Sequence, residues 1–210
     1  VLVVAPVGGD TGVQLRHGLG HLGLEARLVP DAVPTRRTVT VVETDGSATC
    51  LTEPALTRCW AELLEAVDAS LPQAEVMVVG GRLPDGVPAD ALRTLVRLAR
   101  DRGVPIVADT HGPALLEVLE AGCDVVKPNA TELEGVTGDP DVGRAARDLC
   151  ERYGAVVVVS RGSEGVLAVT PNGAWEARPG DVVTGNPTGA GDALVAALAR
   201  ALAHDPSAFD

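Results

Sequence analysis

Aromatic residues are nearly missing from this chain: 210 residues contain two Trp, one Tyr and one Phe. They are scattered, so no row of rings is available on which nucleic-acid bases could stack. Clusters of positive charge are missing too. None exceeds Arg36-Arg37, and 29 acidic against 17 basic residues give a formal charge of −12, which repels a phosphate backbone. No nucleic-acid partner is expected. Long apolar runs are absent: VLVVA (1–5), VMVVG (76–80) and AVVVVS (155–160) fall far short of the roughly 20 residues that cross a bilayer, and no basic leader with a cleavage pattern precedes them. No membrane association is expected, and the chain reads as soluble. The four cysteines, Cys50, Cys59, Cys123 and Cys150, stand singly and without metal-ligand spacing, which argues against a disulfide framework or zinc site and for a reducing, cytoplasmic setting. His17, His21 and His204 likewise lack a Cys or carboxylate partner at ligand spacing.

What is present suffices for one substantial core. Hydrophobic residues make up 46% and charged residues 22%, over a length that favours a single domain, 1–210. Strand patterns at 1–5, 25–29, 75–79, 104–108, 124–126 and 155–159 alternate with helix patterns at 11–22, 56–71, 89–102, 113–121, 142–153 and 190–203. Two segments differ. Residues 37–43 and 48–53 are β-branched and flank Thr44-Asp45-Gly46, and 165–178 is hairpin-like about Asn172-Gly173. Short apolar strands joined by helices predict an α/β class, a mostly parallel sheet covered by helices on both faces, with the later hairpin an antiparallel edge.

Three polar stretches fall at carboxyl ends of strands, where ligands of such sheets collect. In TGNPTGAGDALVAAL, residues 184–198, Gly189, Ala190 and Gly191 precede an apolar helix and let backbone N–H groups approach an anion closely. Asp192 in the first turn reads either as an acid that complements the helix dipole, or caps the helix, or as a general base. Lys127-Pro128-Asn129-Ala130-Thr131-Glu132 follows a buried strand and starts a helix with Asn129 and Glu132 on one face. By itself that is a capping pattern. Ser160-Arg161-Gly162-Ser163-Glu164-Gly165 reads as a polar loop into a hairpin or as hydroxyl and N–H donors for phosphates.

Taken in order, VVKPNATELEG, VVVVSRGSEGVLAV and TGNPTGAGDALVAAL, with VGGRLPDGVP and VADTHG before them, resemble the ribokinase-like (PfkB) sugar-kinase family. Asn186 at the head of the Gly-Ala-Gly-Asp signature, with PTRRTVTVVE and TEPAL, looks most like its phosphosugar branch, the 1-phosphofructokinases and tagatose-6-phosphate kinases. The resemblance implies a three-layer α/β/α sandwich with a β lid hairpin at 35–53, ATP and Mg2+ as cofactors, and a sugar phosphate as partner. It implies Asp192 as the base that deprotonates the acceptor hydroxyl, and Gly189, Ala190 and Gly191 as the anion hole around the γ-phosphoryl group. Asn129 and Glu132 match the Asn-x-x-Glu motif that orders magnesium and phosphate through water, with Lys127 beside them. Ser160, Gly162 and Gly165 fall in the nucleotide-phosphate loop, and Arg36 would meet the distal phosphate of the acceptor. The lid hairpin, an uncovered edge, is a plausible homodimer interface.

The chain departs from the family pattern in several places. Arg82 stands where phosphosugar kinases usually have the Ser of Gly-Ser-Leu-Pro, and reads as a bidentate phosphate ligand or a solvated loop arginine. His111 replaces a serine, and Arg161 takes a position where an apolar residue is common. The chain opens in mid-strand, and the family's sugar-binding Asp and its Gly-Gly-Lys-Gly-x-Asn stretch have no counterpart. A piece of a longer chain or a degenerate homologue is therefore expected. Beside the phosphosugar kinase stand a non-catalytic nucleotide or sugar-phosphate binding remnant and a kinase for an unphosphorylated sugar or a nucleoside.

Overall fold

The computed structural model describes residues 1–43, 48–181, 188–205 and 207–209. They form two compact units, 1–72 with 83–89, and 73–82 with 90–210.

In the first unit, β1 (Leu2–Val7) and β2 (Glu25–Pro30) pair in parallel from Leu2↔Glu25 to Val7↔Pro30, with α1 (Gly9–His21) as the crossover. Gly23 ends the crossover at φ +67, a conformation that costs glycine little. β3 (Thr38–Val42) and β4 (Ala48–Thr52) form the expected antiparallel hairpin, with Val39 opposite Leu51. The Asp45-Gly46 turn lies outside the described residues.

The helix expected over 56–71 is shorter: α2 spans Trp60–Asp68, followed by one 3₁₀ turn at Leu71–Gln73. Tertiary bonds take the residues before it. Leu56 bridges to Asp85, and Thr57 N–H donates to the Asp85 carbonyl at 2.9 Å. Asp31 then gathers the rest. Its Oδ2 accepts from Thr57 Oγ1 (2.5 Å), Arg58 N (3.1 Å) and Cys59 Sγ (3.4 Å), and its Oδ1 accepts from Val33 N (3.0 Å). Burial pushes this carboxyl up, but the hydrogen bonds from Thr57, Val33, Arg58 and Cys59 outweigh it and hold the pKa at about 2. The loop that leads to Arg36 is also fixed at Gly8, whose N–H donates to Thr35 Oγ1 at 3.1 Å and whose carbonyl accepts from Thr35 N at 2.9 Å. A Cβ at Gly8 would stand 2.1 Å from the Val33 carbonyl oxygen, so only glycine permits this approach.

The second unit is built on a six-stranded sheet. Its elements in chain order are β5 (Met77–Gly80), α3 (Ala91–Arg100), β6 (Ile106–Asp109), α4 (Pro113–Glu120), β7 (Val125–Val126), α5 (Ala130–Thr137), α6 (Val142–Tyr153), β8 (Val156–Ser160), β9 (Val166–Thr170), β10 (Gly173–Ala177) and α7 (Ala190–His204). β5, β6, β7 and β8 run parallel, and β9 and β10 add the antiparallel edge. This is the α/β arrangement read from the strand spacing. Val107, Val125, Val156 and Val158 pack with Val195, Leu198 and Leu202 of α7 on one face. Val157 and Val159, alternating with them along β8, are wholly buried on the other, and α6 packs there. No described helix is long and apolar enough to cross a membrane.

Candidate active site

The parallel strands of the second unit end in polar residues: Asp109 closes β6, Lys127 follows β7, and Ser160 closes β8. Asn129 pairs with Ser160 across an isolated parallel bridge, and Ser160 N–H donates to the Pro128 carbonyl at 3.1 Å. That bridge sets the start of α5 beside the end of β8. Asn129 is the N-cap of α5: its Oδ1 accepts from Glu132 N, and Glu132 Oε2 accepts from Asn129 N, both at 2.8 Å. The capping reading of Asn-x-x-Glu is thus what the geometry contains. It engages one polar atom of each side chain, leaving Asn129 Nδ2 and Glu132 Oε1 without a hydrogen bond among the described residues.

Lys127 is the only lysine of the chain and is 5% exposed. Its Nζ lies 3.1 Å from Asp109 Oδ1. The sequence signal for Asp109, in VADTHG, is only that of a carboxylate at the end of a buried strand. Burial raises the pKa of Asp109, the Lys127 ammonium counters it, and the carboxylates of Glu132 and Asp192 push it up again. These four charges therefore share one locality.

Above this pair stands the first turn of α7. Gly189 is its N-cap at φ +87, a left-handed position that favours glycine. Asp192 therefore does not cap the helix; it is an exposed acid of the first turn. The first intrahelical bond is Ala193 N to the Gly189 carbonyl, which leaves the N–H groups of Ala190, Gly191 and Asp192 without helical partners. A Cβ at Gly191 would stand 3.5 Å from Lys127 Nζ, so the ammonium lies directly against this helix start. The ammonium and the helix N-terminus thus lie side by side, and each favours a negatively charged group. Asn186 and the rest of 182–187 lie outside the described residues.

Asn129, Thr131, Ser160, Arg161, Gly162 and Glu164 line a cleft of about 460 Å³ beside α5. Gly162 (φ +58) and Gly165 (φ +87) shape the 3₁₀ turn along it, and a Cβ at Gly165 would stand 2.0 Å from the Ala177 carbonyl oxygen. These two glycines thus have backbone reasons as well. Arg82 and His111 follow the paired ends Gly80↔Asp109 of β5 and β6 by two residues each, and both are exposed. Arg36 is half-buried in the first unit.

A family model described as pfkB family carbohydrate kinase matches residues 1–208. The chain is 34% identical over 211 residues to ATP-dependent 6-phosphofructokinase isozyme 2 of Mycobacterium tuberculosis, covering 95% of this chain and 61% of that protein. It is 39% identical over 150 residues to 1-phosphofructokinase of Rhodobacter capsulatus, covering 66% and 47%. It therefore spans less than two thirds of the length of these relatives. The crystal structure of Escherichia coli phosphofructokinase-2 in complex with fructose-6-phosphate superposes with a TM-score of 0.84 at 30% identity, covering 97% of this chain and 70% of that one. The chain has the ribokinase-like α/β fold of these structures and belongs to the pfkB family of carbohydrate kinases.

Proposed function

We propose that the protein is an ATP-dependent kinase that transfers the γ-phosphoryl group to a hydroxyl of a ketose phosphate. The observation that carries this reading is Lys127, held by Asp109 and set against the start of α7, whose first N–H groups have no helical partner, with Asp192 in the same turn. Phosphoryl transfer asks for positioning and charge compensation more than for covalent help. In this assignment the N–H groups of Gly189, Ala190 and Gly191, with Lys127, compensate the γ-phosphoryl oxygens. The acceptor hydroxyl gives its proton to Asp192, its oxygen bonds to the γ-phosphorus, and the bridging oxygen leaves with ADP. Ser160, Gly162 and Gly165 would receive the nucleotide phosphates; Arg36 and Arg82 would hold the acceptor's phosphate.

Mg2+, when bound, neutralises phosphate charge. Asn129 and Glu132 would hold it through water, and the unengaged Glu132 Oε1 is the kind of hard oxygen donor it takes. Among the described residues no group of three or more His, Cys, Asp or Glu side chains could hold a metal ion by itself.

The same reading treats residues 1–210 as part of one kinase domain, 35–53 as its lid, and the cytoplasm as its compartment. Val39 (55% exposed), Val41 and Leu51 (60%) share one face of the β3–β4 hairpin, an apolar surface suited to the lid of a second copy. Loss of the dimer in Val39→Glu by light scattering would support that interface.

The test is to assay the full-length protein with Mg-ATP and fructose 1-phosphate, fructose 6-phosphate, tagatose 6-phosphate and free ribose. A ketose phosphate should give the highest kcat/KM. Preference for ribose would overturn the acceptor assignment, and no turnover with any of them would overturn the kinase reading.

A further inference from the structure

Arg161 stands where the family commonly has an apolar residue, and the structure gives it only part of the bonding an arginine needs. Its Nη1 donates to Glu176 Oε1 of β10 at 3.0 Å, with the side chain 14% exposed. Its Nε and Nη2 are buried and have no hydrogen-bond partner among the described residues. These two N–H groups are the parallel pair of the guanidinium fork, spaced to match two oxygens of one phosphate or carboxylate. Buried donors left unmatched destabilise the fold, so an oxyanion that meets them gains what the folded chain forgoes.

The surroundings favour an incoming anion over an internal one. Among the described residues Glu176 is the sole carboxylate paired with Arg161, and Arg178 shares it, its Nη2 lying 3.3 Å from Glu176 Oε2. Two guanidiniums thus share one carboxylate, on a chain of net charge −12. Arg161 also lines the cleft with Asn129, Thr131, Ser160 and Gly162. Glu164, on the same wall, makes no bond to the fork.

We propose that Arg161 is a specificity-determining residue of the nucleotide site, its Nε–Nη2 fork gripping a phosphate of the nucleoside polyphosphate seated in this cleft. The inference rests on the kinase reading. It assigns this chain an ionic, bidentate phosphate contact that an apolar residue at that position cannot make. Nucleotide affinity then depends on the phosphate chain rather than on the nucleoside alone.

The test uses the full-length protein and titrations of ATP, ADP and adenosine by calorimetry, followed by steady-state kinetics. Arg161→Leu should weaken ATP about 10- to 100-fold, as expected for a charge-assisted bidentate contact, and leave adenosine within about twofold. Arg161→Lys, which keeps the charge without the fork, should fall between. Glu176→Gln breaks the ion pair to β10 and keeps the fork, so its ATP affinity should stay within a few fold of the parent. Equal loss in Glu176→Gln and Arg161→Leu would mean that Arg161 merely braces β10, and unchanged ATP affinity in a folded Arg161→Leu would also overturn the proposal. Failure of the parent protein to bind ATP at all would instead overturn the kinase reading, which keeps the two outcomes apart.

Discussion

Asp31→Asn would test how the loop carrying Arg36 is held. Asp31 accepts four hydrogen bonds, three at Oδ2 and one at Oδ1, and two of the donors are backbone N–H groups, Val33 on one oxygen and Arg58 on the other. Whichever way the amide of asparagine turns, its NH2 faces one of them. Thr57, 2% exposed, would keep a hydroxyl with a weakened partner. A carboxyl held at about 2 against roughly 3.9 in the unfolded chain corresponds to about 2.5 kcal/mol at neutral pH, which partial solvent screening brings to about 1–2 kcal/mol. The donor left facing a donor adds about 1 kcal/mol or more. The expected loss at pH 7 is therefore about 2–3 kcal/mol, read as a shift in the urea midpoint.

The pH dependence has a definite sign. Because the folded pKa is depressed, the carboxylate's contribution is complete above about pH 4 and fades as pH falls toward 2. The gap between parent and Asp31→Asn should narrow in that window, and the acceptor KM should rise at pH 7 because the loop that leads to Arg36 loses its bond between Val33 and Asp31. A midpoint shift worth less than about 0.5 kcal/mol, within the range of neutral surface changes, would refute this reasoning. A gap that stays constant from pH 6 to pH 2.5 would refute it equally.

Lys127→Met should leave Asp109 without its counter-charge and raise its pKa further; stability gained from a raised carboxyl is lost as pH rises, so the variant should lose about 2–4 kcal/mol at pH 8 and visibly less at pH 5, read by urea melts. Gly165→Ala forces a side chain to φ +87 and toward the Ala177 carbonyl oxygen, so its thermal midpoint should drop by the equivalent of about 2 kcal/mol or more. Arg36→Ala should raise the acceptor KM about 10- to 100-fold and leave that for ATP within a few fold, and equal weakening of both would point to a folding role for the loop.

The elements that carry their own apolar rhythm were legible in the sequence. α6 spans 142–153 as expected, and the β9–β10 edge lies about Asn172-Gly173, because periodicity and turn chemistry are local. The Asn129–Glu132 capping box was legible for the same reason. Residues 56–59 were misread as helix because the bonds that hold them come from Asp31 and Asp85, about 25 residues before and after, and nothing local announces such partners. The Asp109–Lys127 pair was hidden similarly: Asp109 ends β6 and Lys127 follows β7, and only the parallel register brings them together. Arg161 was visible only as a departure from a family pattern, and its unmatched donors required the packed structure.

The most direct measurement is the turnover of Asp192→Asn in the full-length protein, with saturating Mg-ATP and the preferred ketose phosphate, beside its ATP affinity by calorimetry. If Asp192 takes the proton of the acceptor hydroxyl, kcat should fall about 10²- to 10⁴-fold while ATP binding stays within a few fold. A fall in kcat of less than about tenfold, roughly 1.4 kcal/mol, with the variant folded and binding ATP as before, would contradict the assignment of the base.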